Sequence, residues 1–221
     1  MNIVQPYAKL HTIDGNSPEL TSGILALKKI EWCGRISHRS EESQTIDSYD
    51  RFIRTVVLGH GDWSIVEHAN ATVDMLVDRG ITHEVVRHRL FSFTQESTRF
   101  VNYEKKMPPS FIQPDMPITQ LVSWEDSIHK CEKSYQEMIQ SGAAPQIARS
   151  VFPNALASRI IITGNLRNWR HFFIMRVTKE AHPQMRQVTI PLLKEFQEKI
   201  PILYEDIVPL EKQTIAMSRM R

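Results

Sequence analysis

Apolar residues along this chain recur in two rhythms, one every three to four positions and one every two, and together they predict interspersed helices and strands. Asn2 to Leu10 is short and β-friendly, an edge strand interrupted by Pro6. After the turn-forming Asp14-Gly-Asn-Ser-Pro18, Leu20, Ile24, Leu27 and Ile30 recur at helical spacing and predict an amphipathic helix ending near Gly34. Arg35-Ile-Ser-His-Arg39 then leaves that helix. Ile46, Tyr49, Phe52, Ile53, Val56 and Val57 predict a second helix closing at Gly59. It delivers the polar segment Gly59-His-Gly-Asp-Trp-Ser64, followed by Glu67 and His68. Ala69 to Val77 alternates strictly, with Ala69, Ala71, Val73, Met75 and Val77 on one side, and reads as a half-buried strand. Gly80 ends that strand, and Thr82 caps a short helix whose buried side is Val85 and Val86.

Lys105 to Pro117 holds Pro108, Pro109, Pro114 and Pro117 and predicts an irregular surface connection. A helix follows over Leu121 to Gln140, stopped by Ser141 and Gly142. Pro145 suits the first turn of a short helix that carries Arg149 towards Pro153. Ala157 to Thr163 reads as a strand, Gly164 and Asn165 introduce a helix through Arg176, and a last helix spans Gln184 to Ile200.

Composition narrows the class. A chain of 221 residues buries an adequate core as one domain, and 41% hydrophobic against 24% charged residues is the balance of a soluble globular protein. The apolar runs are too short to cross a bilayer, and Met1 to Leu10 has no leader-like pattern, so a cytoplasmic protein is expected. Cys33 and Cys131 stand far apart in no CxxC or Cys/His cluster, which argues against a disulfide scaffold or a structural zinc site. A net charge of +2 argues against a bulk nucleic-acid binder. The arginines nevertheless gather locally, from Arg87 to Arg99, at Arg167, Arg170 and Arg176, and at Arg219 and Arg221. Local clusters on a nearly neutral chain suit a small phosphorylated ligand.

The densest cluster is Arg87 to Phe100, RHRLFSFTQESTRF, which has no glycine or proline. Arg87, His88 and Arg89 at a helix end have a plain reading, since cations there favour the negative end of the helix dipole. Ser97, Thr98 and Arg99 tilt the balance towards a phosphate site, because guanidinium forks and hydroxyls are the groups that seat phosphate. Glu84 precedes Arg87 by three residues and His88 by four, so on a helix it faces both as an ion-pair partner. A metal site built from Glu67, His68, His83 and His88 is disfavoured, since no two of these histidines have the i, i+4 spacing of a helical site. In the later cluster Arg167 and His171 share a helix face, whereas Arg176 comes nine residues after Arg167, about 180° round the helix. If all three are functional, the helix serves two sites, which requires oligomeric neighbours.

These residues resemble the flavin-dependent thymidylate synthases. The family signature, RHR, seven residues, then Ser, is matched by Arg87, His88, Arg89 and Ser97, and its longer form RHRxxSxxxxSxRY is matched further by Ser92 and Arg99. Phe100 stands where the family has tyrosine. Arg35-Ile-Ser37 is similar to an early RVS segment, Gly59 to His68 to GHxSxxEH with two extra residues between His60 and Ser64, and Ala148-Arg149 with Pro153 to ARxxxP. Asn165-Leu-Arg167 followed by Arg176 is similar to the family's NxR helix, with His171 where asparagine is frequent.

The resemblance implies a single-domain α+β fold with a mixed or antiparallel sheet flanked by helices, assembled as a homotetramer with shared active sites. It implies FAD held by Ser37, His60, Ser64, Arg87, His88, Arg89, Gln95, Asn165, Leu166, Arg167 and His171. It implies dUMP held by Glu84, Val85, Val86, Arg87, Gln95, Glu96, Ser97, Thr98, Arg99, Arg149 and Arg176, with Arg149 and Arg176 reaching the signature from a neighbouring subunit. The reaction implied is conversion of dUMP to dTMP, with methylenetetrahydrofolate as carbon donor and NADPH as reductant, no metal, and Arg176 as the catalytic group. Both cysteines lie outside every matched segment, in keeping with a route that needs no thiol nucleophile. The alternatives are a family member that binds nucleotide without catalysis and, more distantly, a nucleic-acid-binding module.

Overall fold

The computed structural model describes residues 1–103 and 108–209; Lys105, Arg219 and Arg221 lie outside these. The chain forms two compact units, each from discontinuous stretches: Met1–Ala8 with Asp74–Ile162, and Lys9–Val73 with Thr163–Arg221.

Strands come first. Pro6 splits the N-terminal segment into β1 (Asn2–Ile3) and β2 (Tyr7–Ile13), so the second piece runs beyond Leu10. The strict alternation before Asp78 becomes β3 (Asn70–Asp78), in which Ala71, Val73, Met75 and Val77 are all buried. With β4 (Ser92–Gln95) and β6 (Ala157–Asn165) these strands make a four-stranded sheet ordered β2-β3-β6-β4. The hydroxyls of Thr72 and Thr163 meet at 2.9 Å, while Leu166 N–H donates to Ala69 O at 2.9 Å. One register number rises as the other falls, so β3 and β6 run antiparallel. A parallel pair joins β1 to β5 (Ser110–Phe111). That pair corrects the expected surface connection: Phe111 and Ile112 are buried, and Phe111 packs with Ile128 and Leu156.

The second unit is mostly helical. Helix α1 (Leu20–Ile36) ends two residues after Gly34, as expected, and Gly34 is a packing position: a methyl group there would sit 2.7 Å from the Phe52 ring. Helix α2 (Ser48–Phe52) loosens into a π-helical turn over Ile53–Gly59. Helix α6 (Leu166–Arg176) buries Leu166, Trp169, Phe172 and Phe173, and α7 (Pro183–Lys199) adds Phe196. The rings of Trp169, Phe173, Phe196 and Tyr204 lie 5.0–6.0 Å apart between neighbouring centroids, largely tilted or edge-on, the arrangement favoured by ring quadrupoles. Trp169 Nε1 donates to Ala71 O at 3.0 Å, which satisfies the one polar atom of that ring.

The first unit carries α3 (Arg79–Val85), α4 (Ile118–Gln140) and α5 (Pro145–Ala148), the last running into a 3-10 turn over Arg149–Val151. Gly80 and Thr82 do not have the expected roles at the start of α3. Asp78 is the N-cap, its Oδ1 accepting from Ile81 N–H at 2.8 Å, so Gly80 is already helical and buried Thr82 donates its hydroxyl to Arg79 O. A carboxylate at the last strand position outcompetes a hydroxyl four residues later, because it satisfies an orphan helix N–H where the backbone is still extended. Asn165 ends β6 and caps α6 in the same way, accepting from Asn168 N–H at 2.8 Å. Both strand-to-helix junctions carry sequence-predicted site residues just beyond them.

Candidate functional site

In the first unit α3 ends at Val85 with Val86 as its C-cap, and Arg87 and His88 turn off it, their N–H groups donating to Glu84 O and Val85 O. Val85 is buried, whereas Arg87 and Arg89 are exposed. The chain then enters β4, an element that the sequence pattern did not predict. Beyond it, Glu96 N–H donates to Arg159 O at 2.8 Å and Val101 N–H to Ser97 O at 3.0 Å, so Glu96 to Val101 is anchored at both ends.

Gln95 is fixed by its amide: Nε2 donates to Thr82 Oγ1 and to Ser158 Oγ, both at 3.0 Å. With its two amide hydrogens used, it offers a ligand only its acceptor oxygen. Thr98 is buried and accepts from Arg149 Nη1 at 3.1 Å. Arg149 therefore meets the signature segment within one chain, which corrects the expectation that it arrives from a neighbour; α5 ends at Ala148 and the following turn supplies the guanidinium. Ser97 Oγ accepts from Arg99 N–H, and Arg99 Nε donates to Gln146 Oε1 at 3.1 Å.

Thr98 and Arg149 line a cleft of about 220 Å³ together with Arg79, Ser150, Phe152, Pro153, Asn154 and Leu156. Arg79 has no place in the sequence prediction. Its backbone N–H is shared between Asn154 O and Leu156 O, which ties the start of α3 to this wall. The charge pattern is one-sided. Among the described residues Arg159 holds Asp74 through two hydrogen bonds of 2.8 and 2.7 Å, whereas Arg79, Arg87, Arg89, Arg99 and Arg149 form no ion pair with any carboxylate. Arg79 and Arg149, both on the cleft, are guanidiniums of the kind that seat phosphate. Tyr103 stands behind the segment; burial, and then the neighbouring Glu96 carboxylate, push its hydroxyl well above the ordinary tyrosine range.

In the second unit Ser37 caps α1, its Oγ donating to Gly34 O at 2.8 Å. His60 closes the π-helical turn, and the two extra residues before Ser64 are absorbed in a turn at Gly61, whose φ of 88° suits glycine. Trp63 in that turn lies under the Arg170 guanidinium, 4.6 Å from the ring centroid. Arg170 in turn holds Asp206 at 2.7 and 2.5 Å, which outweighs the effect of burial and lowers the Asp206 pKa. Arg170 is thus bound up in the fold.

Helix α6 divides as its wheel predicts. Arg167 and His171 are exposed, and Arg176 lies half-buried towards the aromatic face, its carbonyl accepting from Thr189 Oγ1 at 3.0 Å. Arg167 Nη1 meets Glu67 Oε1 at 2.6 Å. Glu67 entered the sequence reading only as a disfavoured metal ligand and as part of the GHxSxxEH-like segment; its structural role is to orient Arg167. Leu166 is fully buried, its N–H donating to Ala69 O and its carbonyl accepting from Tyr204 Oη, both at 2.9 Å, so its backbone groups are engaged within the fold. Among the described residues no three His, Cys, Asp or Glu side chains gather to hold a metal ion, and no helix is long and apolar enough to cross a membrane.

Comparison with known proteins fits this picture. A family model described as "Thymidylate synthase complementing protein" matches residues 21–202. A flavin-dependent thymidylate synthase of Corynebacterium aurimucosum is 34% identical over 196 residues, covering 80% of this chain and 78% of its own. One from Pyrococcus furiosus is 31% identical over 200 residues, covering 84% and 78%. The crystal structure of a UMP/dUMP methylase from Streptomyces cacaoi, bound with 5-Br dUMP, superposes with a TM-score of 0.75 over 93% of this chain and 96% of that one, and at 22% identity it shows a shared fold. The family match over residues 21–202, with relatives at 31–34% identity along four-fifths of the chain, shows that this protein belongs to the flavin-dependent thymidylate synthases.

Proposed function

We propose that the chain, acting as one domain over residues 1–221, catalyses reductive methylation of dUMP to dTMP in the cytoplasm, with methylenetetrahydrofolate as carbon donor and NADPH as reductant. The observation that carries this reading is the cleft lined by Arg79, Thr98 and Arg149, in a unit where, among the described residues, these two arginines, like Arg87, Arg89 and Arg99, have no carboxylate partner while Arg159 has one. Two phosphorylated ligands, a mononucleotide and a dinucleotide cofactor, are the anions that such guanidiniums would bind.

Arg149, Arg79 and the Ser97 to Arg99 segment would hold the dUMP phosphate. Gln95, with only its acceptor presented, would orient the base or sugar by accepting a hydrogen bond. The residues fit FAD as well: among the described residues exposed Arg87 and Arg89 have no carboxylate partner and would meet a diphosphate, and Ser37, His60, Ser64 and His171 are exposed polar side chains. Arg167 and Asn165, at the capped start of α6, would be further flavin contacts. When bound, FAD supplies the one-carbon relay and the hydride.

The protein's own task is positioning and charge stabilisation. Arg176 would place its guanidinium at the N3/O4 edge of the uracil, favouring the anionic pyrimidine and making C5 more nucleophilic. Arginine suits this role because it stays protonated while it stabilises developing negative charge. A homotetramer would let α6 present Arg167 and Arg176 to two different sites.

Purified protein should carry flavin absorbance that dUMP perturbs, and should form dTMP with release of tritium from 5-labelled dUMP. Arg176→Ala should retain FAD while losing at least about a thousandfold in turnover. Colourless protein that rejects added FAD, or near-normal turnover in that variant, would overturn the assignment.

A further inference from the structure

The Gln95 to Arg99 segment contains one group that opposes anion binding. Glu96 places a carboxylate two residues from Thr98, in a unit where, among the described arginines, only Arg159 has a carboxylate partner. A carboxylate in contact with a guanidinium forms a charge-assisted pair, often bidentate, and would occupy the donors that a phosphate needs. Glu96 is held elsewhere. The Tyr103 hydroxyl donates to its Oε1 at 2.9 Å.

Tyr103 is fixed in place. It is 7% exposed, its ring stands edge-on to Tyr135 at 6.0 Å and to Phe152 at 5.5 Å, and its N–H donates to Tyr135 Oη at 3.3 Å. The same apolar cluster includes Ala148, next to Arg149, and Phe152 also lines the cleft. One ring therefore backs the arginine wall while its hydroxyl holds the acidic residue of the opposing segment. Burial and the Glu96 charge keep the tyrosine protonated, so it remains a donor across the neutral range, and the Arg79 charge acts on the same hydroxyl in the opposite sense. Thr98, two residues on in the same segment, meets Arg149 at 3.1 Å, so the segment that carries Glu96 touches a cleft arginine.

We propose that Tyr103 is a positioning residue for nucleotide binding: its hydroxyl holds the Glu96 carboxylate off the cleft arginines Arg79 and Arg149 and keeps their guanidiniums open to phosphate. The inference rests on the nucleotide reading of this cleft. It makes Glu96 an internal competitor of the substrate and Tyr103 the group that restrains it.

The test compares wild type, Y103F, E96Q and the double variant by calorimetric titration with dUMP, on the FAD-bearing fraction so that misfolded protein drops out, together with steady-state kinetics. Y103F should weaken dUMP binding and raise its KM about tenfold, with kcat at saturating dUMP within about threefold of wild type. The double variant should return to within about twofold of E96Q alone, because a neutral amide no longer competes with phosphate. That rescue separates restraint from bracing: a tyrosine that only supported the wall would leave the double variant as weak as Y103F. Unchanged dUMP affinity in Y103F, or weak binding that E96Q does not restore, overturns the proposal. Failure of wild type itself to bind dUMP overturns the nucleotide reading, and this inference with it.

Discussion

Thr98 and Arg149 are 51 residues apart in sequence and 3.1 Å apart in space, and the threonine is buried while the arginine is exposed. The hydroxyl therefore aims a guanidinium that would otherwise sample many rotamers in water. Thr98→Val keeps the shape and removes the acceptor, and should weaken dUMP binding about fivefold; Arg149→Ala, which removes the charge, should cost about a hundredfold. Isothermal titration of each variant checks the order, and equal losses would mean that Thr98 does not aim Arg149. Ser97 and Arg99 were legible in the sequence from residue type and spacing, and Arg149, which meets the same segment, from the resemblance of its surroundings to ARxxxP. Glu67, Arg79 and Tyr103 were not. Glu67 is paired with Arg167 across 100 residues, Arg79 enters the cleft through a backbone tie to Asn154 and Leu156, and nothing about an isolated tyrosine shows that its hydroxyl will meet Glu96.

At the level of elements, long periodic segments announced themselves and short ones did not. Nine residues of strict alternation made β3 plain, whereas β4 has four residues and β5 two, too few for a period to emerge. Residues that stop local structure in isolation were the other source of error. Gly80 reads as a strand break, yet it is helical because Asp78 had already started the helix, whereas Gly34 does lie near a helix end and leaves room for the Phe52 ring. Gly23 is the extreme case. A methyl group at Gly23 in α1 would lie 1.7 Å from the backbone oxygen of Lys199 at the end of α7, and a main-chain atom cannot swing aside as a side chain does. Gly23→Ala should therefore destabilise the protein by about 3 kcal/mol or more, at the severe end for one added methyl. Denaturant unfolding measures it, and a loss below about 1 kcal/mol would show that the two helices separate at little cost.

At the level of the molecule, the faces of α6 pose the question of assembly. The helix buries Leu166, Trp169, Phe172 and Phe173, leaves Arg167 and His171 exposed, and carries half-buried Arg176 about 180° from Arg167. Side chains on opposite faces of one helix do not converge on one small ligand, so a helix using both faces works in two sites. Closed symmetric assembly is the economical way to complete each site with a neighbour's residues. The proposed shared sites then predict complementation between two inactive variants. Arg87→Ala removes a first-unit arginine and Arg176→Ala a second-unit one, and each alone should be nearly inactive. If a site takes Arg87 from one subunit and Arg176 from another, mixing the variants in equal amounts and allowing subunits to exchange leaves about a quarter of the sites with both arginines, one half multiplied by one half. Activity should rise towards about a quarter of wild type as exchange proceeds, with a rate set by subunit dissociation. If both arginines of a site belong to one chain, no hybrid contains an intact site, and the mixture stays as inactive as its components however long it is incubated.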